Sequence, residues 1–511
     1  MLRLFLLLVL GGGLVSLPGS TNAVQKPQEP LKDDAVFTKL FNAWLEEEFQ
    51  AHPLFATQQG NHDFDDRLDD LSPEARKADL ERARTWLARL PKSVDRSELS
   101  RANQIDYDIW THSLEYSIWS AENDNRFVFD PRVYGEYMSD SVFLLFTQST
   151  LPRERNVQNA AKRIACIPRV VGAAKASLKN PPKELTQVAI KRNLGAIAFF
   201  EKEIFTISGE TPGSEPLSAP CRAAVVALRE YQTFLEKELL PRSNGEWRLG
   251  KNKFSKKLEL ELDADLTADA VLRLAEEEAD RVEREMWYVA KQLWSKLFPG
   301  ITVPVDDPTG RRAAIQAVLA ELGKDHGKPE NLVGDARKTV DRIKTFIREK
   351  KILTLPEPDT CKIVEMPEFQ RGFSLAYLNP APPLDPKADS LYAVAPPPGD
   401  WPPERVETLL REYNSAMLQV LTIHEAYPGH YVQLAYSNRN PSLVRKVLWS
   451  GTFAEGWAVY TEQMMLDQGY GEGDLSLRLH QLKFYQRAVL NAILDYKMHC
   501  DNMTDNEAKK L

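Results

Sequence analysis

LTIHEAYPGHYVQ, residues 421–433, sets His424 and Glu425 side by side and brings a second histidine at His430, with Pro428 and Gly429 in the gap. Helical zinc hydrolases write such a site as H-E-x-x-H, with both imidazoles on one face of a helix. Residues four apart end up about 40° apart around a helix axis, whereas residues six apart end up about 120° apart. An unbroken helix would therefore point His424 and His430 away from each other. Pro428 alters this: it has no N–H for the carbonyl of His424, and its ring collides with that carbonyl. Gly429 accepts backbone angles closed to other residues. The spacing predicts a bulge that loops out two residues and turns the histidines back towards one another. The alternative is a helix end carrying unrelated polar residues.

In a bulged site Glu425 directly follows the first ligand, where the general base of a zinc hydrolase belongs. Catalytic zinc takes three protein ligands and keeps one position open. GTFAEGWAVYTEQM (451–464) offers the third, because Glu455 enters an otherwise apolar face beside Phe453, Trp457 and Val459. A carboxylate there is costly to bury without a partner. Glu462, seven residues on, falls on nearly the same face, as a group supporting the ligands or as an alternative ligand. Glu455 can also be read as a charge favoured by the start of its helix. Asp495 and His499, four apart on one helical face, can orient a substrate or simply pair in a core. Tyr485 and Tyr496 are candidate donors to a developing oxyanion, with packing the commoner role for a tyrosine at such a position.

Outward from these motifs the chain reads as mostly helix. Apolar residues recur at helical spacing through 33–50, 72–90, 97–120, 153–178, 183–206, 222–240, 264–297, 310–322 and 330–351. Residues 253–263, KFSKKLELELD, alternate in part like a strand, although LELEL also fits a helix. Residues 352–403 are proline-rich, with β-like pieces at CKIVEM, GFSLAYL and SLYAVA. They predict a small irregular sheet. Pro402 and Pro403 suit a first helical turn, from which one helix is expected to run to the HEA of the opening motif. Two more follow, over about 453–468 and 475–500. The expected organisation is a helical region (33–350) forming one wall of a groove, then a small β element with the helical metal region (351–511).

The first 23 residues look like a cleaved export signal: Arg3, the apolar run 4–10, and small Thr21 and Ala23 near the exit. That run is too short to span a bilayer, which needs ~20 residues. The expected location is periplasmic or extracellular, with no stable membrane span. No cysteine sits near the cleavage region, so a lipid anchor is not expected. The net charge of −8 disfavours nucleic acid as a partner. Cys166, Cys221, Cys361 and Cys500 form no C-x-x-C pair. HDFDDRLDD (62–70) lacks the alternating ligands of an EF-hand and reads as a solvated acidic turn. No G-x-S-x-G or Walker loop occurs.

HEAYPGHYVQ followed by EGWAVYTEQM resembles the bacterial family catalogued as domain of unknown function 885, which shares H-E-x-x-P-G-H and a downstream E-G-W-A-x-Y. ATQQGNHDFDDRLDDLS (56–72), EMPEFQRGFSLAYL (365–378) and NAILDYKMH (491–499) extend the match over nearly the whole chain. That family is similar to helical zinc metallopeptidases of the Taq-type carboxypeptidase and thimet-type oligopeptidase kind. The resemblance implies a mostly helical molecule with a deep groove and peptide substrates. It matches His424, His430 and Glu455 to the ligands of one zinc ion and Glu425 to the base. Two departures stand out. Many relatives carry a histidine where this chain has Tyr431. The chain also ends at NEAKKL, inside what reads as a helix start, so a C-terminal piece of the groove wall is expected to be missing.

The expectation is thus an exported zinc-dependent peptidase that cleaves short peptides by attack of a metal-bound water, with Glu425 as base. The alternatives are a metal-dependent hydrolase of another amide or ester, and an inactive peptide-binding protein on a peptidase scaffold.

Overall fold

The computed structural model describes residues 32–511 except 212, 214, 367–374 and 400. The export signal at 1–23 lies outside the described residues. The described residues are mostly helical with one three-stranded sheet, as the periodicity predicts. Polar caps set many helix starts: the Ser72 side chain accepts from the Ala75 amide, and Thr267 accepts from Ala270. Residues 253–263 resolve as helix, within Gly250–Leu262. Phe254 and Leu258, one helical turn apart, pack in a cluster with Ala268 and Tyr496. Residues 153–178 form two helices, Arg153–Ala165 and Ile167–Ser177, the second with proline in its first turn.

Among the described residues the three largest apolar clusters follow the chain. Phe37, Phe41, Trp44, Trp86 and Trp110 centre the first, and Tyr134, Phe199, Phe200 and Tyr231 lie in the second. The third unites Val340, Ile343 and Ile347 of the helix Leu332–Lys350 with Tyr392 of the sheet and Val420, Ile423 and Tyr427 of the metal motif. The predicted β pieces form β1 (Cys361–Glu365), β2 (Ala376–Asn379) and β3 (Ser390–Val394). β3 is central, parallel to β1 and antiparallel to β2, which leaves β2 at an edge.

The acidic turn is not fully solvated. Asp65 and Asp69 are buried. Asp65 accepts from the Thr57 hydroxyl at 2.6 Å, and Asp69 from the Leu54 amide at 3.0 Å. His62 places Nδ1 2.8 Å from Asp65 and Nε2 3.1 Å from Asp385, in the loop after β2. Gly60 (φ +84) lets the chains touch, since a Cβ there would lie 2.7 Å from the Asp385 nitrogen. The Asp65 hydrogen bond raises the His62 pKa against the effect of burial, and Asp385 adds to the rise. A histidine with a raised folded pKa stabilises most below its unfolded value and loses that contribution as pH climbs through the folded one. His62→Gln should therefore cost about 1 kcal/mol at pH 6 and less at pH 9. Melting both proteins across that range checks this; a gap that does not shrink with pH refutes the charged pairing.

Candidate metal centre

The helix expected to start at Pro403 and run into the motif is broken. Pro403–Glu412 ends, and Ser415–Glu425 begins anew behind Asn414, whose buried side chain accepts from the Ala416 and Met417 amides. The new helix carries His424 and Glu425 and stops there. A second starts at His430 (His430–Ser437) after a cis Tyr427–Pro428 bond. The expected two-residue bulge is thus a full interruption. Pro428 lacks the N–H that a continuing ladder would need, and the helix ends before it. The Gly429 amide instead donates to the Ile423 carbonyl at 3.0 Å.

The break does what the spacing requires. The two imidazoles lie 4.8 Å apart between ring centroids, at 85°. Glu455 comes from Gly451–Asp467, a helix capped by the Ser450 side chain. One Glu455 oxygen is 3.6 Å from His424 Nε2 and the other 3.7 Å from His430 Nε2. His424, His430 and Glu455 each offer one ligand atom, all within 4.8 Å of one another. Two imidazole nitrogens and a carboxylate are a donor set that suits zinc.

Behind them, Glu462 is fully buried and its Oε1 lies 2.7 Å from His424 Nδ1. That contact keeps a proton on Nδ1, so Nε2, which faces Glu455, is the nitrogen that would give up its proton to bind a metal. Glu462 Oε2 has no hydrogen-bond partner in its buried position. Without a cation, burial opposes charge on His424, but Glu455 and Glu462 overrule it and lift its pKa to about 10. Burial and the charged His424 push His430 down. Two carboxylates face the imidazoles, one of them fully buried, so the pocket carries negative charge that a divalent metal would balance.

Glu425 points to the sheet. Its Oε2 accepts from the Leu378 amide of β2 at 3.1 Å, and burial raises its pKa to about 7. This backbone donor was not visible in the sequence; the only hint is that the β-like pieces directly precede the motif. The other candidates stand apart from the cluster. The Tyr485 hydroxyl donates to Glu278 at 2.9 Å and that of Tyr496 to Asp269. His499 stacks on Phe254, accepts from the Leu249 amide at 3.1 Å and lies 3.6 Å from Asp495. Phe484 contacts His424 across 5.5 Å, so His499, fifteen residues further along the same helix, is ~22 Å on.

The turn has no room for a side chain at 429. A Cβ on Gly429 would lie 1.8 Å from the His424 carbonyl oxygen and 2.3 Å from that of Ile423. Both are backbone atoms, so relief must move the ligand-bearing helix end. Gly429→Ala is expected to cost about 3 kcal/mol and to abolish tight metal uptake. Thermal melting with metal analysis checks both; a variant that binds metal normally would show that the turn tolerates a wider path.

A family model described as "Bacterial protein of unknown function (DUF885)" matches residues 53–511. Among solved structures, a candidate lipoprotein of unknown function from Shewanella oneidensis is similar at a TM-score of 0.74 and 29% identity, covering 92% of this chain and 85% of that one. A candidate lipoprotein from Colwellia psychrerythraea is similar at a TM-score of 0.73 and 15% identity, covering 94% and 86%, a likeness of fold alone. No curated protein matches the chain.

Proposed function

This chain belongs to the DUF885 family, and on that premise we propose that it is an exported zinc-dependent hydrolase of short peptides. The observation that carries the reading is the convergence of His424, His430 and Glu455, with Glu425 beside them and Glu462 behind. Zinc in that cluster would supply a Lewis acid for a substrate carbonyl and lower the pKa of a water at its open position. The protein's residues do the rest. Glu462 keeps His424 in the tautomer that presents Nε2. The Leu378 amide holds Glu425 Oε2, which leaves Oε1 to take a proton from the attacking water and release it to the departing amine.

Peptides are favoured over other amides by the sheet. β2 is an outer strand whose Leu378 already reaches Glu425, and an extended peptide can pair along such an edge. Export is supported by the amino-terminal signal pattern and by the description of both structural relatives as candidate lipoproteins. Among the described residues no helix is long and apolar enough to cross a membrane. The test is turnover by the zinc-loaded protein on a peptide library beside small amides and esters. Cleavage confined to peptides supports the proposal; cleavage of small esters alone reassigns the chemistry. Peptide binding without turnover identifies a binding protein on a hydrolase scaffold.

A further inference from the structure

The two helices that carry the histidines are joined by a turn, not by a shared ladder, so something else must fix their relative rotation. The Gly429–Ile423 hydrogen bond shapes the turn, and the Trp457 indole donates to the Pro428 carbonyl at 2.9 Å. Both act on the turn, before the second helix begins at His430. Tyr427 and Tyr431 bracket the break. Both are buried, with ring centroids 5.0 Å apart. Both hydroxyls donate to one oxygen, Asp359 Oδ1, at 2.6 and 2.9 Å.

Asp359 is itself anchored from two sides. Its second oxygen takes the Lys344 ammonium from the helix Leu332–Lys350, and that ammonium also lies 5.3 Å from the Tyr427 ring centroid. The next residue, Thr360, donates its amide to the Tyr431 hydroxyl at 2.9 Å, directly before β1 begins. Burial opposes the carboxylate charge, but Lys344 and the two tyrosines hold its pKa below the usual range. The group is therefore an anion at neutral pH, and its hydrogen bonds are of the stronger, charge-assisted kind.

We infer that Asp359 is a positioning residue of the metal centre: by holding Tyr427 and Tyr431 on one carboxylate oxygen it clamps the ends of both histidine helices and sets the gap between His424 and His430. Tyr427 lies three residues after His424 and Tyr431 directly after His430, so each tether acts within one turn of a ligand. Asp359 touches neither ligand; it acts through the tyrosines. The inference rests on the metal-centre reading above and assigns a role to the tyrosine at 431.

The test compares wild type with Asp359→Ala and with the double variant Tyr427→Phe/Tyr431→Phe, which keeps the Asp359–Lys344 pair and so guards against simple misfolding. Three readouts are taken on each full-length protein: zinc affinity by chelator competition, the visible absorption of the cobalt-substituted site, and the melting temperature without metal. Both variants are expected to bind zinc about 10- to 100-fold more weakly, with a shifted cobalt spectrum. The metal-free double variant should melt within about 5 °C of wild type. A double variant with wild-type zinc affinity and cobalt spectrum overturns the clamp, whatever its melting temperature. A wild type that takes up no zinc removes the metal reading itself, and the clamp with it.

Discussion

Glu425→Gln is expected to leave zinc bound and to lower kcat by about 10³-fold. The substitution keeps the size of the side chain and its capacity to accept the Leu378 amide through an oxygen. It removes the one property the proposed chemistry needs, a basic oxygen beside the metal cluster. Glu425 offers no ligand atom to the group formed by His424, His430 and Glu455, so metal content should match wild type. KM should change little, because a base that acts as the bond breaks contributes to kcat and not to ground-state binding. Metal analysis beside steady-state kinetics on the best library peptide checks both halves. Retained turnover with full zinc would move the base elsewhere. Lost zinc would make Glu425 a ligand and require a different assignment of the three.

The parts of this molecule are unequally legible in its sequence. Donor types are written locally, so His424, His430, Glu455 and the supporting Glu462 could be selected from two short motifs. Proline chemistry predicted that the helix between the histidines is disturbed, but not that it ends and restarts; whether two residues bulge or a turn forms depends on what packs around them. Here that is Trp457, Asp359 and the sheet. Asn414 splits a helix that periodicity alone joined, since its side chain serves better as a cap than within a helix. The Leu378 amide and Asp359 reach the site from 47 and 68 residues away. No local pattern announces such pairings. The same holds for His62, whose partner Asp385 lies 323 residues on, so a turn that looks solvated in the sequence becomes a latch in the fold.

Removing a ligand should empty the site, and the two most informative removals should differ in a way that metal loss alone does not produce. A zinc site contributes roughly 10–16 kcal/mol in total, so one of its protein ligands is worth about 3 kcal/mol or more, a loss of at least ~10²-fold in affinity. His424→Ala and Glu455→Ala are both expected to fall from about one zinc per chain to near none after dialysis against a chelator. Without metal they part. Glu455 is 69% exposed at its side chain, and its loss leaves the buried His424 still paired with Glu462, so the metal-free protein should melt close to wild type. His424 is the partner of Glu462, a fully buried carboxylate with one oxygen already unpaired. Its removal leaves that carboxylate with no charged partner or takes it up as the neutral acid, at a cost of about 3 kcal/mol in either state. The metal-free His424→Ala protein should therefore melt several degrees lower than metal-free Glu455→Ala, and His424→Ala/Glu462→Leu should recover most of the difference without recovering zinc. Equal melting of the two single variants would mean that Glu462 does not depend on His424, and the orientation of the first ligand would need another cause.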